Sequence, residues 1–411
     1  MRTSLFINMQ QPKEIFDPIH EFITITPHMR LIIDTHEFQR LRELKQLGAT
    51  YFVFPSATHS RFAHSLGVSF LAGQITESLK KNQPELQLSE RDIELIRIAG
   101  LIHDIGHGPF SHLYDNHVRH GTEPEHEERG CLLFRDMVQK YNLPFSKSEV
   151  DNIIQMISPT PKSQNNWKFQ IVANKVCQID VDKLDYIRRD CYHLGIKITD
   201  TFTRLITKVR VVNTVSGHQV LAWPKKLEYD IFSLFATRYR LHKQIYNHHA
   251  INAHEFIIVD ILKKIKLKMG ESCWKLTDSA VTCCLHKSYK SLLIKLQMRQ
   301  IPKLIGEIVV KLPHDSYHPE DPNPCQILNT IVQSYKIGFA NGVNNPLNNV
   351  YYFTKDNINM GYKIISQNNS FCIPSQFQEL IVRMYTTVSN KNDATQNVNQ
   401  DYWNEYKKKY E

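Results

Sequence analysis

One stretch limits what this chain can become: LSERDIELIRIAGLIHD, residues 88–104. It opens with Ser89 and Asp92 in the spacing of a helix N-terminus and then runs apolar nearly all round. A helix without a polar face has to be wrapped by other elements, so the stretch predicts a buried central helix within a helical core. Its end is not what a hydrophobic core would choose. His103 and Asp104 close it, and IGHGPFSH then adds two glycines, a proline and two more histidines.

Helical periodicity dominates the first 270 residues. DTHEFQRLRELKQLG predicts a helix with Asp34 and Glu37 as a capping box and Gly48 as its stop. DVDKLDYIRRDCYHLG predicts another, closed by Gly195, and a long helix is expected from Leu234 to Leu267. Between these two, VRVVNTVSGHQVLAW reads as a hairpin about a Ser-Gly turn. Beyond Pro302, GEIVVKLP, NNVYYFTK and GYKIIS read as strands between Asn- and Pro-rich turns. The expected fold class is mainly α: a helical core over 1–300 with a β-hairpin insertion, a smaller C-terminal α+β lobe over 301–388, and a polar tail over 389–411 that is frayed or serves assembly.

Composition narrows the function classes. Nowhere do 18 apolar residues run together, so no membrane span is expected, and the apolar stretch of the N-terminus is too short for a signal peptide. The eight cysteines are scattered without a CxxC pair, which argues against a disulfide framework and a cysteine zinc site and for a reducing, intracellular compartment, cytoplasm or nucleus. Lys plus Arg is 50 against 41 Asp plus Glu, a net charge of +9 that favours polyanionic partners such as nucleotides or nucleic acid.

The chemistry concentrates after the central helix. Six of the 20 histidines (103, 107, 112, 117, 120 and 126) crowd into one short region. His103 and Asp104 need further ligands to hold an ion. RFAHS offers His64 and DVDKLDY offers Asp182, giving two imidazoles and two carboxylates, a mixed N/O set suited to Fe, Zn, Mn or Ni with room left for water and substrate. An isolated His-Asp pair would more readily be read as a helix end; the glycine loop and neighbouring imidazoles argue otherwise. On a helix starting near Ser111, His112 and Asp115 share a face, so the carboxylate can charge an imidazole that protonates a leaving oxygen. His107 and His126 could reach phosphate oxygens. Asp182, Tyr186 and Asp190 recur every four residues, as do Arg238, His242 and Tyr246. Arg61, Lys183 and Arg238 could together hold a triphosphate. The chemistry this reaches is metal-assisted phosphoester hydrolysis on a nucleotide.

RFAHSLG, HDIGHGPFSHLYD and IDVDKLDYIRRDCYHLG resemble the HD-domain deoxynucleoside triphosphate triphosphohydrolases, in particular the animal enzymes that also carry a sterile-alpha-motif domain. The resemblance begins at DPIHEFI (17–23), is dense to about residue 256 and thins beyond; the sterile-alpha-motif domain is not expected here. It implies a helical HD core, release of intact triphosphate from a dNTP, and a dimer-to-tetramer assembly driven by nucleotides at regulatory sites. His64, His103, Asp104 and Asp182 match its metal ligands, with Mg²⁺ accompanying the phosphates. His112 with Asp115 matches the general acid and His126 a neighbouring catalytic histidine. Arg61, His107, Lys183 and Arg238 match phosphate contacts, and Gln46, Leu47, Tyr186, Asp190 and Tyr246 the residues around the sugar, with His242 in the same stripe.

Lys13, Asp34, Gln39 and Arg42 match a GTP or dGTP activator site, and Val53, Phe54, Arg204, Lys226, His248, Arg299 and Lys303 an adjoining dNTP activator site. The chain departs from the pattern at Glu14, Phe16, Pro224 and Asn344, which bears on what the activator is. Two rival readings stand beside this one: another HD-type phosphohydrolase acting on nucleoside monophosphates, cyclic nucleotides or alarmones, and a protein that keeps the HD shell to bind single-stranded nucleic acid.

Overall fold

The computed structural model describes residues 11–198, 202–283, 286–311, 329–364, 374–387 and 393–408. Cys284, Cys325 and Cys372 and the first ten residues lie outside these. An N-terminal hairpin, β1 (Lys13–Asp17) and β2 (Glu21–Ile25), leads into α1 (Pro27–Ile33) and α2 (His36–Gln39). The reading of 34–48 as one helix needs correction. Thr35, not Asp34, caps α2, accepting from the Phe38 amide at 3.3 Å, while Asp34 closes α1. The chain tightens into a 3-10 segment, Arg40–Glu43, and leaves the helix because its backbone is recruited elsewhere: the Leu44 carbonyl accepts from Arg61 and the Gln46 amide donates to His59, each at 2.9 Å.

Helices α3 (Arg61–Asn82), α4 (Glu90–Ile102), α5 (His112–His117), α6 (His126–Lys140), α7 (Lys147–Ile157) and α8 (Val181–His193) build the core. The central helix is α4. Ser89 Oγ accepts from the Asp92 amide and Asp92 accepts from the Ser89 amide, both at 3.1 Å, a capping box whose Ser is worth about 1 kcal/mol. Ile96, Ile98, Ala99, Leu101 and Ile102 are buried, and α3 packs alongside, carrying Leu66, Val68 and Ala72 into the same core.

After α9 (Thr203–Thr207), strands β3 (Arg210–Asn213) and β4 (Gln219–Pro224) form the expected antiparallel hairpin. The long helix expected from Leu234 is two helices, α10 (Glu228–Leu241) and α11 (His249–Met269), joined through a π-helical turn at His242–Tyr246. The break has a cause. The Asn247 carbonyl accepts from Arg383 and from the Tyr335 hydroxyl at 3.3 Å instead of continuing a helical ladder.

Following α12 (Asp278–Cys283) and α13 (Lys290–Gln297) come β5 (Lys303–Lys311), β6 (Thr330–Gly338), β7 (Tyr351–Phe353), β8 (Tyr362–Lys363), β9 (Gln378–Thr386) and α14 (Asp393–Lys407). Antiparallel β9 lies between β5 and β6. β7 instead pairs in parallel with β4, Ala222 opposite Tyr351, so residues 351–363 extend the core hairpin. The polar end is not frayed over its described part: α14 buries Trp403 and Tyr406 against the β5–β9 face. Among the described residues no helix is long and apolar enough to cross a membrane.

Candidate active site

Three helices bring donors to one point. His103 stands at the end of α4, His64 one turn into α3, and Asp182 in the first turn of α8. His103 Nε2 lies 3.2 Å from His64 Nε2; Asp182 Oδ1 is 3.0 Å from His64 Nε2 and 3.6 Å from His103 Nε2. The far nitrogens are committed. His64 Nδ1 donates to Asp185 Oδ2 at 2.7 Å and His103 Nδ1 to the Gly100 carbonyl at 2.8 Å. Both partners can only accept, so with each ring proton on Nδ1 the two Nε2 atoms aim lone pairs at each other and at a carboxylate. Such donors repel unless a positive charge sits among them, and the set fits a divalent cation. Burial lowers the His64 pKa, but without a cation among these groups its hydrogen bonds to Asp182 and Asp185 outweigh that and push it up to about 10. A proton then takes the place on Nε2 from which a bound cation would displace it. Asp104 lies 3.4 Å from His103 Nε2 and 3.6 Å from His64 Nε2, yet its carboxylate already pairs with Arg61 and lies 3.2 Å from His107 Nε2.

The glycine loop gathers a second histidine group. His107 and His126 stack face to face at 3.9 Å, and His112 stands edge-on to them at 5.0 and 5.3 Å. Stacked rings send their in-plane lone pairs alongside one another, so this group is poorly shaped to enclose an ion and better suited to protons and phosphate oxygens. Burial first, then Arg61 and His126, lower the His112 pKa to about 4; the same causes hold His107 well below its ordinary value. The expected pairing of His112 with Asp115 does not form. Asp115 Oδ1 accepts from Arg129 Nη2 at 2.6 Å and Oδ2 sits 3.1 Å from His126 Nδ1. The short α5 turns the carboxylate inward while His112 faces the cavity, so Asp115 is bonded by Arg129 and lies against His126 instead of His112.

His103, Asp104, Asp182, His107, His112 and His126 border a cavity of about 1020 Å³, with His64 buried directly behind His103 and Asp182. Gln46, Leu47, Arg61, His107, Lys183, Tyr186, Asp190, Arg238, His242 and Tyr246 all line it. Asp190 is held between His59 Nε2 at 2.7 Å and the Tyr246 hydroxyl at 2.5 Å. Gln46 Oε1 is buried without a hydrogen-bond partner. Of the three cations, Arg61 is enclosed by Asp104 and Ser111, Lys183 pairs with Asp180 at 2.9 Å, and Arg238 bonds the Gly338 carbonyl at 2.9 Å with its Nε unpartnered. Sequence reasoning missed His59, which THSRFAHS could have offered, and Asn247, Glu255, Gln333 and Tyr335 on the cavity wall, which no local motif marks.

The residues matched to activator sites fall into separate patches. Gln39 and Arg42 bond each other at 2.8 Å, Arg42 lies over the Phe62 ring and Asp34 pairs with Arg30, while Lys13 is exposed on β1. Phe54 meets His248 edge-on at 5.7 Å on one side of the molecule, with Val53 beside it and Arg299 and Lys303 exposed. Arg204 pairs with Asp230 at 2.9 Å, near exposed Lys226. Among the described residues, no hydrogen bond, ion pair or ring contact joins Arg204 or Lys226 to the Phe54 group.

A family model described as the HD domain matches residues 61–189, from the start of α3 into α8, the span that supplies His64, His103, Asp104 and Asp182. The deoxynucleoside triphosphate triphosphohydrolase SAMHD1 of Gallus gallus is 34% identical over 437 residues, covering 90% of this chain and 71% of that protein. Its Homo sapiens counterpart is 32% identical, covering 92% and 71%. A homologue from Dictyostelium discoideum is 30% identical, covering 95% and 80%.

Proposed function

Because the chain belongs to the HD-domain deoxynucleoside triphosphate triphosphohydrolases, we propose that it hydrolyses dNTPs to deoxynucleoside and inorganic triphosphate in the cavity described above. One observation carries the reading: two imidazole lone pairs and a carboxylate converge on the wall of a cavity that also presents sugar-sized and phosphate-sized partners. His64, His103 and Asp182, joined by Asp104, would hold a transition metal, Fe, Zn or Mn, which when bound supplies Lewis acidity to the α-phosphate and the attacking water. Mg²⁺ would accompany the remaining phosphates.

The chain's own residues do the rest. Lys183 and Arg238 bind the phosphates, with Arg61 holding Asp104 in place beside them. His107 and His126 contact phosphate oxygens, His126 kept in orientation by Asp115. His112 protonates the departing 5′-oxygen. In the free protein it is neutral, and a triphosphate beside it supplies the negative charge that lets it take up a proton first. Gln46 and Asp190 bond the 3′-hydroxyl, while Leu47, Tyr186 and Tyr246 pack where a 2′-hydroxyl would need room, favouring deoxyribose. GTP or dGTP at the Lys13/Asp34/Gln39/Arg42 patch, and a dNTP bridging Phe54 of one copy and Arg204 and Lys226 of another, would drive assembly from dimer to tetramer.

The test is incubation of pure protein with each dNTP, with and without GTP, while triphosphate, pyrophosphate and orthophosphate are measured. Intact triphosphate is expected, and it should vanish in Asp182→Ala and His112→Ala with the fold retained. Pyrophosphate or orthophosphate alone would refute the reaction. Salt-sensitive binding of single-stranded nucleic acid with no dNTP turnover would refute the enzyme.

A further inference from the structure

We infer that Asp185 is the positioning carboxylate of His64, and that the N-terminal hairpin, through His20 and Asp17, holds Asp185 in place. The inference rests on the metal-centre reading above and names residues that neither the motifs nor the resemblance singled out.

Asp185 is fully buried, and four donors converge on it. His64 Nδ1 at 2.7 Å and Arg189 Nε at 2.8 Å bond Oδ2; His20 Nε2 at 2.6 Å and Arg189 Nη2 at 3.0 Å bond Oδ1. A carboxylate saturated from both sides cannot turn, so the proton it receives stays on His64 Nδ1 and the Nε2 lone pair stays aimed at Asp182 and His103. Arg189 is gripped in turn by Asp17, Nη1 to Oδ2 at 2.8 Å. Asp17 Oδ1 also accepts from the amides of Ile19 at 2.9 Å and His20 at 3.0 Å, shaping the turn between β1 and β2. His20 is therefore two hydrogen bonds from the metal ligand.

The helices make room for this arrangement. A Cβ on Gly67 of α3 would lie 1.9 Å from Asp185 Oδ1 and 2.4 Å from Arg189 Nη2, so only glycine lets the carboxylate reach His64. The outer side of the same hairpin carries Phe16 and Phe22, 66% and 62% exposed and edge-to-face at 5.5 Å. A piece of structure with a solvent-facing side thus has its inner turn wired to the metal site.

The test uses Co²⁺ as probe, bound to apo-protein and followed by its visible absorption and by competition with a chelator. Wild type should bind one Co²⁺ that His64→Ala loses. His20→Leu should weaken Co²⁺ about 10–100-fold and lower kcat with KM for dGTP unchanged. His20→Gln, which keeps a donor at the Nε2 position, should restore both. Asp185→Asn should weaken Co²⁺ at least as much; where that variant folds poorly, the His20 pair decides. Wild-type affinity in His20→Leu, or no restoration by His20→Gln, overturns the inference while leaving the metal centre standing. Absence of Co²⁺ binding in wild type, or unchanged binding in His64→Ala, overturns the metal centre and the inference with it.

Discussion

Gly106→Ala tests why the loop after the His-Asp pair is built from glycine. A Cβ there would lie 2.1 Å from the His126 carbonyl oxygen, 2.4 Å from the Gly130 nitrogen and 2.9 Å from the Gly130 Cα. All three are backbone atoms and cannot rotate aside. Opening the shortest contact to an ordinary 3.4 Å requires the loop and the start of α6 to part by about 1.3 Å. Overpacking of this kind costs roughly 1–3 kcal/mol of stability. The displaced backbone is that of His126 itself, and a 1 Å error in a catalytic group costs on the order of 100-fold in rate. The expected result is a lowered melting temperature and about a 100-fold loss of kcat for triphosphate release from dGTP, with Co²⁺ still bound through His64, His103 and Asp182 on α3, α4 and α8. Its affinity weakens only as far as Asp104, two residues before the displaced glycine, shifts. Gly121→Ala is the control, because a Cβ there meets nothing within 4 Å. Wild-type kcat in Gly106→Ala would refute the close-approach argument.

Tyr246→Phe removes the 2.5 Å bond to Asp190, and losing a hydrogen bond to a charged group, about 1.5–3 kcal/mol, should lower kcat/KM for dGTP roughly 10–100-fold and narrow its preference over the 2′,3′-dideoxy analogue. An unchanged preference would remove Asp190 from the sugar. Trp403→Ala should cost about 3–5 kcal/mol in thermal or urea unfolding while activity at low temperature survives; an unshifted transition would mean α14 does not pack. Acid should destabilise the fold through its neutral histidines. Burial, with Arg61 and His126, lowers His112 to about 4, and burial with Arg238 lowers His242 to about 3. An unfolded imidazole near 6.5 takes a proton that these refuse, so stability falls as pH drops from about 6.5 toward 4. Melts at pH 7 and 5 check this, and His242→Gln should flatten the difference.

The central helix and its cap were legible because a local signal decides them: Ser89 and Asp92 three apart, then apolar residues with no polar face. The cavity-lining stripes on α8 and at Arg238, His242 and Tyr246 were legible for the same reason, a four-residue spacing. What escaped depends on partners distant in the chain. Thr35 rather than Asp34 caps α2, because both are good caps and only the packed core chooses. The π-helical turn follows from Arg383 and Tyr335 capturing the Asn247 carbonyl, more than 80 residues away. Asp115 looked like the partner of His112 by spacing, but Arg129 and His126 compete for it. β9 shows no alternation, since both its faces are covered: Leu380, Val382 and Met384 pack with α14, while Arg383 and Tyr385 meet Asn252, His249 and Phe256 of α11. Asp185 and Arg189, four apart on a helix, held a usable hint of a buried ion pair; His20 held none.

The parallel pairing of β4 with β7 gives the chain an order of assembly. Ala222 finds Tyr351 only after more than a hundred further residues have been made. During synthesis the nascent hairpin therefore keeps an open row of amides and carbonyls long after the histidines that border the cavity have left the ribosome. A truncated product ending before Tyr351 would carry nearly every reactive side chain yet present that raw edge to its neighbours, and it should aggregate instead of working as a smaller enzyme.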